Sequence, residues 1–156
     1  MKVNIKLLIP SIVLPLLAGA VGSAFTTSAI TTWYTTLNKP SFNPPNYLFG
    51  PVWTVLYILM GISFYLVLVS KAKSKQLAVK LFLVQLILNT LWSLIFFGAH
   101  NPMLALFDIV VLWGAILFTI VSFYKISKPA SYLLIPYILW VSFATILNLS
   151  IVLLNP

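Results

Sequence analysis

The chain has 156 residues, of which 62% are hydrophobic and only 6% charged. Soluble domains carry about 25% charged residues, so a water-soluble globule is excluded, and a mean hydropathy of +1.10 points to lipid. Nine lysines, no arginine and one acid, Asp108, give a net charge of +8, but the lysines are dispersed without a basic helix or stripe, which argues against a nucleic-acid partner. Cysteine is absent and His100 is the lone histidine, so neither a disulfide framework nor a metal cluster is available.

A helix needs about 20 apolar residues to cross a bilayer. Five segments meet that length, over 6–27, 51–70, 77–98, 103–124 and 130–154. They predict an all-α integral membrane protein, a bundle of five transmembrane helices forming one domain over 1–156. Pro10 and Pro15 predict a kink early in the first span. Its two lysines and the small residues Gly22-Ser23-Ala24 also resemble a signal peptide, but the apolar run is long for one. Residues 28–50 form the one long connection. Within 33–53 stand four prolines and six aromatics with a single charge, Lys39. That composition is too proline-broken for a helix and too apolar for a surface linker; it reads as a stiff lid. Lys71-Ala72-Lys73-Ser74-Lys75 ends the second span, His100-Asn101-Pro102 makes a tight turn, and Lys125-Ile126-Ser127-Lys128-Pro129 precedes the fifth span.

With five spans, Lys2, Lys6, Lys71, Lys73, Lys75, Lys80, Lys125 and Lys128 fall on one side and Lys39 alone on the other. The positive-inside rule then places the N-terminus and the lysine-rich loops in the cytoplasm, with the first loop and the C-terminus outside.

Polar and aromatic residues at helical spacing mark the inward faces. Gln85, Asn89, Trp92 and Phe96 form one face of the third span. Tyr137, Trp140, Ala144 and Asn148 form one face of the fifth. Trp53, Tyr57 and Gly61 mark the second, and Gly19, Ser23 and Thr26 the first. Amides at membrane depth need partners, and interhelical amide bonds are ordinary glue there. Trp92 and Trp140, however, sit near mid-span, away from the interface where tryptophan anchors. Aromatics facing small residues suggest a space within the bundle, lined for a flat apolar guest. Asp108, the only acid, lies a few residues into the fourth span, within reach of a helix terminus, Lys39 or the amides. No second carboxylate, nucleophile–base pair or phosphate loop accompanies it, so no conventional catalytic constellation, metal site or required cofactor is expected.

Several motifs in one order then resemble the TspO/translocator protein family, also known as tryptophan-rich sensory proteins or peripheral benzodiazepine receptors. They are Trp33-Tyr34 with Lys39-Pro40-Ser41, Pro44-Pro45, Gly50-Pro51-Val52-Trp53 with Leu56-Tyr57, Gln85-Leu86 with Asn89 and Trp92, Phe96-Phe97-Gly98-Ala99, Ala105-Leu106 with Asp108, and Pro136-Tyr137 with Trp140, Phe143-Ala144-Thr145 and Leu147-Asn148. The resemblance implies a five-helix membrane bundle, commonly a homodimer in the lipid bilayer, that binds porphyrins such as protoporphyrin IX or haem-like tetrapyrroles, sterols or planar drugs. It implies a pocket under the first loop at Ser23, Thr26, Tyr34, Phe49, Trp53, Asn89, Trp92, Phe107, Val111, Trp140, Ala144 and Leu147, beside Tyr57 and Gln85 from the face reading. Lys39, Pro40, Phe42, Pro44 and Pro45 would form the lid. Trp53 and Trp140 stand at positions linked in bacterial members to light-dependent porphyrin breakdown, a tentative catalytic role.

Two departures stand out. Phe42 replaces a tryptophan frequent in the family, and Leu149–Leu154 lacks the Tyr and Arg of the sterol pattern in animal members. The missing animal-type tail fits a prokaryotic cell membrane. Three functions follow from the resemblance: a sensor or receptor that binds tetrapyrrole and influences its homeostasis or a stress response, a photo-oxidative degrader, or a transporter. The chain has no internal repeat and no paired helix breaks of the alternating-access kind, which weighs against the last.

Overall fold

The computed structural model describes residues 3–73 and 75–156; Lys2 and Ser74, counted above with the basic side and the second connection, lie outside the described residues. All regular structure among the described residues is helical, and five helices are long and apolar enough to cross a membrane.

Helix α1 (Ile5–Ile30) contains both Pro10 and Pro15. A short α2 (Trp33–Thr36) and then α3 (Asn46–Val69) follow. The stretch read above as too proline-broken for a helix is therefore partly helical. Pro45 sits just ahead of α3, where a missing N–H costs nothing. Pro51 lies inside it, directly after Gly50. A side chain before proline clashes with the proline ring in helical geometry. A Cβ on Gly50 would meet nothing within 4 Å, so the glycine answers the proline rather than a packing need.

Helix α4 (Gln76–Ser93) continues into a π-helical turn, Leu94–Gly98, closed by Ala99 N donating to Leu94 O at 2.8 Å. The turn to α5 (Pro102–Tyr124) is built as the His100-Asn101-Pro102 stretch predicts. His100 has φ +52°, Asn101 caps α5 by accepting from Leu104 N at 3.0 Å, and Pro102 takes the first helical position. The fifth span, expected as one run over 130–154, is two helices, α6 (Lys128–Tyr132) and α7 (Ile135–Leu154). Pro136 has no N–H for the Tyr132 carbonyl and its ring crowds that turn.

At one end of the bundle, Asn4 N donates to the Tyr65 hydroxyl at 3.0 Å, and Ser63 Oγ to the Ala130 carbonyl at 2.6 Å. These bonds join the start of α1, the end of α3 and the start of α6. All described lysines except Lys39 therefore share this end. Its core is solid. Phe64 stacks on Phe82 at 4.3 Å with planes 4° apart, and Phe82 on Phe123 at 5.9 Å. Met60, Leu112 and Ile116 are fully buried around them. Gly61 lets α3 touch α1, since a Cβ there would lie 2.5 Å from Ile12 Cα. The opposite end carries the loop, the π turn and the end of α7, and it is hollow.

Candidate ligand cavity

A cavity of about 350 Å³ lies in that hollow half, within the range of about 300–1,000 Å³ usual for small-molecule sites. Of the residues named from sequence, Gly19, Ser23, Thr26, Tyr34, Phe49, Trp53, Tyr57, Trp92, Phe96, Trp140, Ala144, Leu147 and Asn148 line it. Trp53 stacks on Tyr57 at 5.5 Å, Phe49 meets Trp140 edge-on at 6.2 Å, and Trp92 stacks on Phe96 at 5.1 Å. No lysine and no carboxylate is among the lining residues. The wall carries eight aromatic rings among small, aliphatic and uncharged polar residues.

Gln85 and Asn89 are not in the wall but behind it. Tyr57 donates its hydroxyl proton to Asn89 Oδ1 (2.7 Å), Asn89 Nδ2 donates to the Tyr137 oxygen (3.1 Å), and Tyr137 donates to Gln85 Oε1 (2.9 Å). A second brace runs from Trp92 Nε1 to Asn148 Oδ1 (3.1 Å) and from Asn148 Nδ2 to the Pro102 carbonyl (2.9 Å). An apolar void gains dispersion contacts by collapsing. These bonds, worth about 1 kcal/mol each, tie the large rings to neighbouring helices. Trp140 differs: its Nε1 is buried without a hydrogen-bond partner.

Phe107 and Val111 correct the expectation. They are 70% and 44% exposed, on the outer face of α5. The inward face of α5 is Ala105, Asp108, Ile109, Leu112 and Ile116, and no α5 residue lines the cavity. Asp108 is buried and its Oδ2 has no hydrogen-bond partner. Lys39 does not reach it, because its ammonium donates to the Tyr34 and Leu37 carbonyls at 2.7 and 3.0 Å and sits 4.9 Å over the Tyr34 ring.

That lysine organises the lid. Tyr34 donates to Asn43 Oδ1 at 2.7 Å, and burial pushes its phenol up to about 12, so the donor stays protonated. Asn43 Nδ2 donates to the Pro44 carbonyl. Pro40 and Pro44 are half-buried, Pro45 is exposed, and Phe42 is 48% exposed with its ring 6.2 Å from Phe143. His100 stacks on Trp33 at 4.5 Å.

Sequence reasoning missed Phe97, Ser93, Ile151, Leu16, Ala20, Gly50 and Thr54 in the wall. Phe97 is there because the π turn brings two successive residues, Phe96 and Phe97, to buried positions, and such bulges recur at functional sites. A strict 3.6-residue period hides this. Ala20 stands one turn from Leu16 and Ser23, and Thr54 beside Trp53, so helical neighbours of the named residues were the available signal.

The TspO/MBR family pattern matches residues 11–154. "Tryptophan-rich protein TspO" of Chlorobaculum tepidum is 50% identical over 90% of each chain. The protein of the same name from Archaeoglobus fulgidus is 47% identical over 97% of this chain and 99% of its own. Human "Translocator protein" is 42% identical over 86% of this chain and 81% of its own. The chain therefore belongs to the TspO/MBR family and, with its five long apolar helices, is an integral membrane protein.

Proposed function

We propose that this protein is a receptor for planar tetrapyrroles such as protoporphyrin IX, whose apolar macrocycle, as distinct from its two propionate groups, suits the aromatic cavity under the first loop. The carrying observation is that cavity: uncharged, lined by eight tryptophan, tyrosine and phenylalanine rings among small and aliphatic residues, and braced by hydrogen bonds that tie Tyr57 and Trp92 to neighbouring helices. Flat π-systems offer such walls offset-stacked and edge-on contacts. The name "Tryptophan-rich sensory protein", borne by a Cereibacter sphaeroides relative 35% identical over 87% of this chain, accords with a binding role. The lysine-bearing end would face the cytoplasm, because positive charge is retained on that side.

The test is titration of the purified protein in nanodiscs with protoporphyrin IX in the dark, followed by tryptophan quenching and the Soret band. Saturable binding weakened by Trp53→Phe and Trp140→Phe supports the reading. Quenching that never saturates and ignores both substitutions refutes it. A second reading, light-driven oxidation of the bound porphyrin by molecular oxygen, is favoured by Trp53 and Trp140 both lining the cavity. It predicts Soret loss under light and oxygen, slowed in Trp140→Phe, with no loss in the dark.

A further inference from the structure

At the loop end of the bundle, the first loop is fastened to the end of α7. Asn38 N donates to Asn155 Oδ1 and Asn155 Nδ2 donates back to the Asn38 carbonyl, both at 2.9 Å. Asn38 Nδ2 adds a bond to the Leu154 carbonyl at 3.3 Å. This clasp fastens the loop to the end of α7, while Tyr34, Lys39 and Asn43 knit the loop to itself.

The flank between α1 and α3 is built differently. Toward the lysine end the two helices touch through glycines. Gly61 abuts Ile12, and a Cβ on Gly19 would overlap the Tyr57 ring. Above that contact, Ala20 and Ser23 of α1 and Gly50 and Thr54 of α3 all line the cavity, and all four are also exposed. They are small, and a Cβ on Gly50 would still meet open space. The two hydroxyls bond within their own helices, Ser23 Oγ to the Ala20 carbonyl and Thr54 Oγ1 to the Gly50 carbonyl, each at 2.9 Å. The slot therefore presents no unpaired donor to hydrocarbon, where one would be costly. Ala20 lies roughly 15 Å from the end of α1 at 1.5 Å per residue, within reach of the acyl chains of a bilayer core about 30 Å thick.

We propose that this slot between α1 and α3 is the passage by which a planar apolar ligand moves between the acyl-chain layer and the cavity, while the loop stays clasped. The proposal rests on the ligand-binding reading above. An apolar ligand dissolves in the bilayer, so a side opening meets it where it is concentrated.

The chain has no cysteine, so introduced thiols are unique. In one arm, Ala20→Cys is folded in nanodiscs and then labelled with a bulky maleimide, which separates blocking from misfolding. In the other, Asn38→Cys with Asn155→Cys is bridged by a short bis-maleimide, which adds one thiol at each end. Protoporphyrin IX is delivered from liposomes, and tryptophan quenching is followed by stopped flow in both directions. Labelling at Ala20→Cys is expected to slow loading and release together by about tenfold against the same protein unlabelled, because a blocked route affects both directions whereas a lost contact mainly speeds release. The bridged loop is expected to keep the unbridged rates. Loading that stops on bridging and ignores the label overturns the passage and leaves the cavity reading standing. Absence of saturable quenching in the unmodified protein overturns both.

Discussion

The two halves of the bundle use aromatic residues in opposite ways. At the lysine end, Phe64, Phe82 and Phe123 stack face to face and fill the space between α3, α4 and α5. At the loop end, Trp53, Trp92, Trp140, Tyr34 and Tyr57 stand around a void. Part of the difference lies in polar handles, which Tyr34, Tyr57 and Trp92 use and Trp140 does not. A phenylalanine has nothing to tie it back, so it moves until contacts are maximal. A tyrosine or tryptophan buried with a hydrogen-bond partner is held where the partner is. Tyr57 is tied to Asn89 and Trp92 to Asn148, so these rings cannot fall inward without stranding buried polar groups.

The comparison is broken hardest in the solid half. Phe82→Ala removes the ring shared by both stacks and leaves a void no bond supports. It should cost about 3–5 kcal/mol, read by unfolding in detergent. The hollow half should fail at its braces. Asn89→Leu strands the Tyr57 hydroxyl, costs about 1–3 kcal/mol and lowers protoporphyrin affinity. If stability falls while affinity is untouched, the brace does not shape the cavity. Trp140→Phe should instead weaken protoporphyrin IX about tenfold, or about 1.4 kcal/mol, with little change in unfolding, because its indole N–H has no protein partner to lose.

A smaller effect sharpens the view of the lid. Burial raises Tyr34 from 10.0 to about 12. Between those values the folded chain holds a proton that the unfolded chain has released, so the contribution is full below pH 10 and fades as pH rises toward 12. Tyr34→Phe should flatten that part of a stability–pH profile. Smallest of all is Phe107→Ala, on the outer face of α5. It should change stability by less than about 0.5 kcal/mol and leave protoporphyrin titrations unaltered; a loss of affinity would return Phe107 to the pocket.

Much of this was legible beforehand because membrane spans impose simple rules. Five apolar runs meant five helices, since lipid satisfies no backbone group. The faces carrying Trp92 and Trp140 pointed inward as their spacing required. Loop 28–50 was legible as a cover but not in its conformation: prolines at a helix start are harmless, so Asn46–Phe49 joined α3. The amides Gln85 and Asn89 were marked as inward but not as behind the wall, because spacing gives direction and not depth.

The amino-acid sequence by itself determined the span count, the inward faces, the gathering of lysines on one side and membership of the family. Each depends on local composition or one helix's period. Only the tertiary structure decided which inward residues meet a void and which a neighbour. It turned Phe107 and Val111 outward, paired Asn38 with Asn155 across 117 positions, and left a small-residue slot between α1 and α3. Those outcomes depend on how helices cross, and crossings are set by contacts such as Gly61 against Ile12 that no single segment encodes.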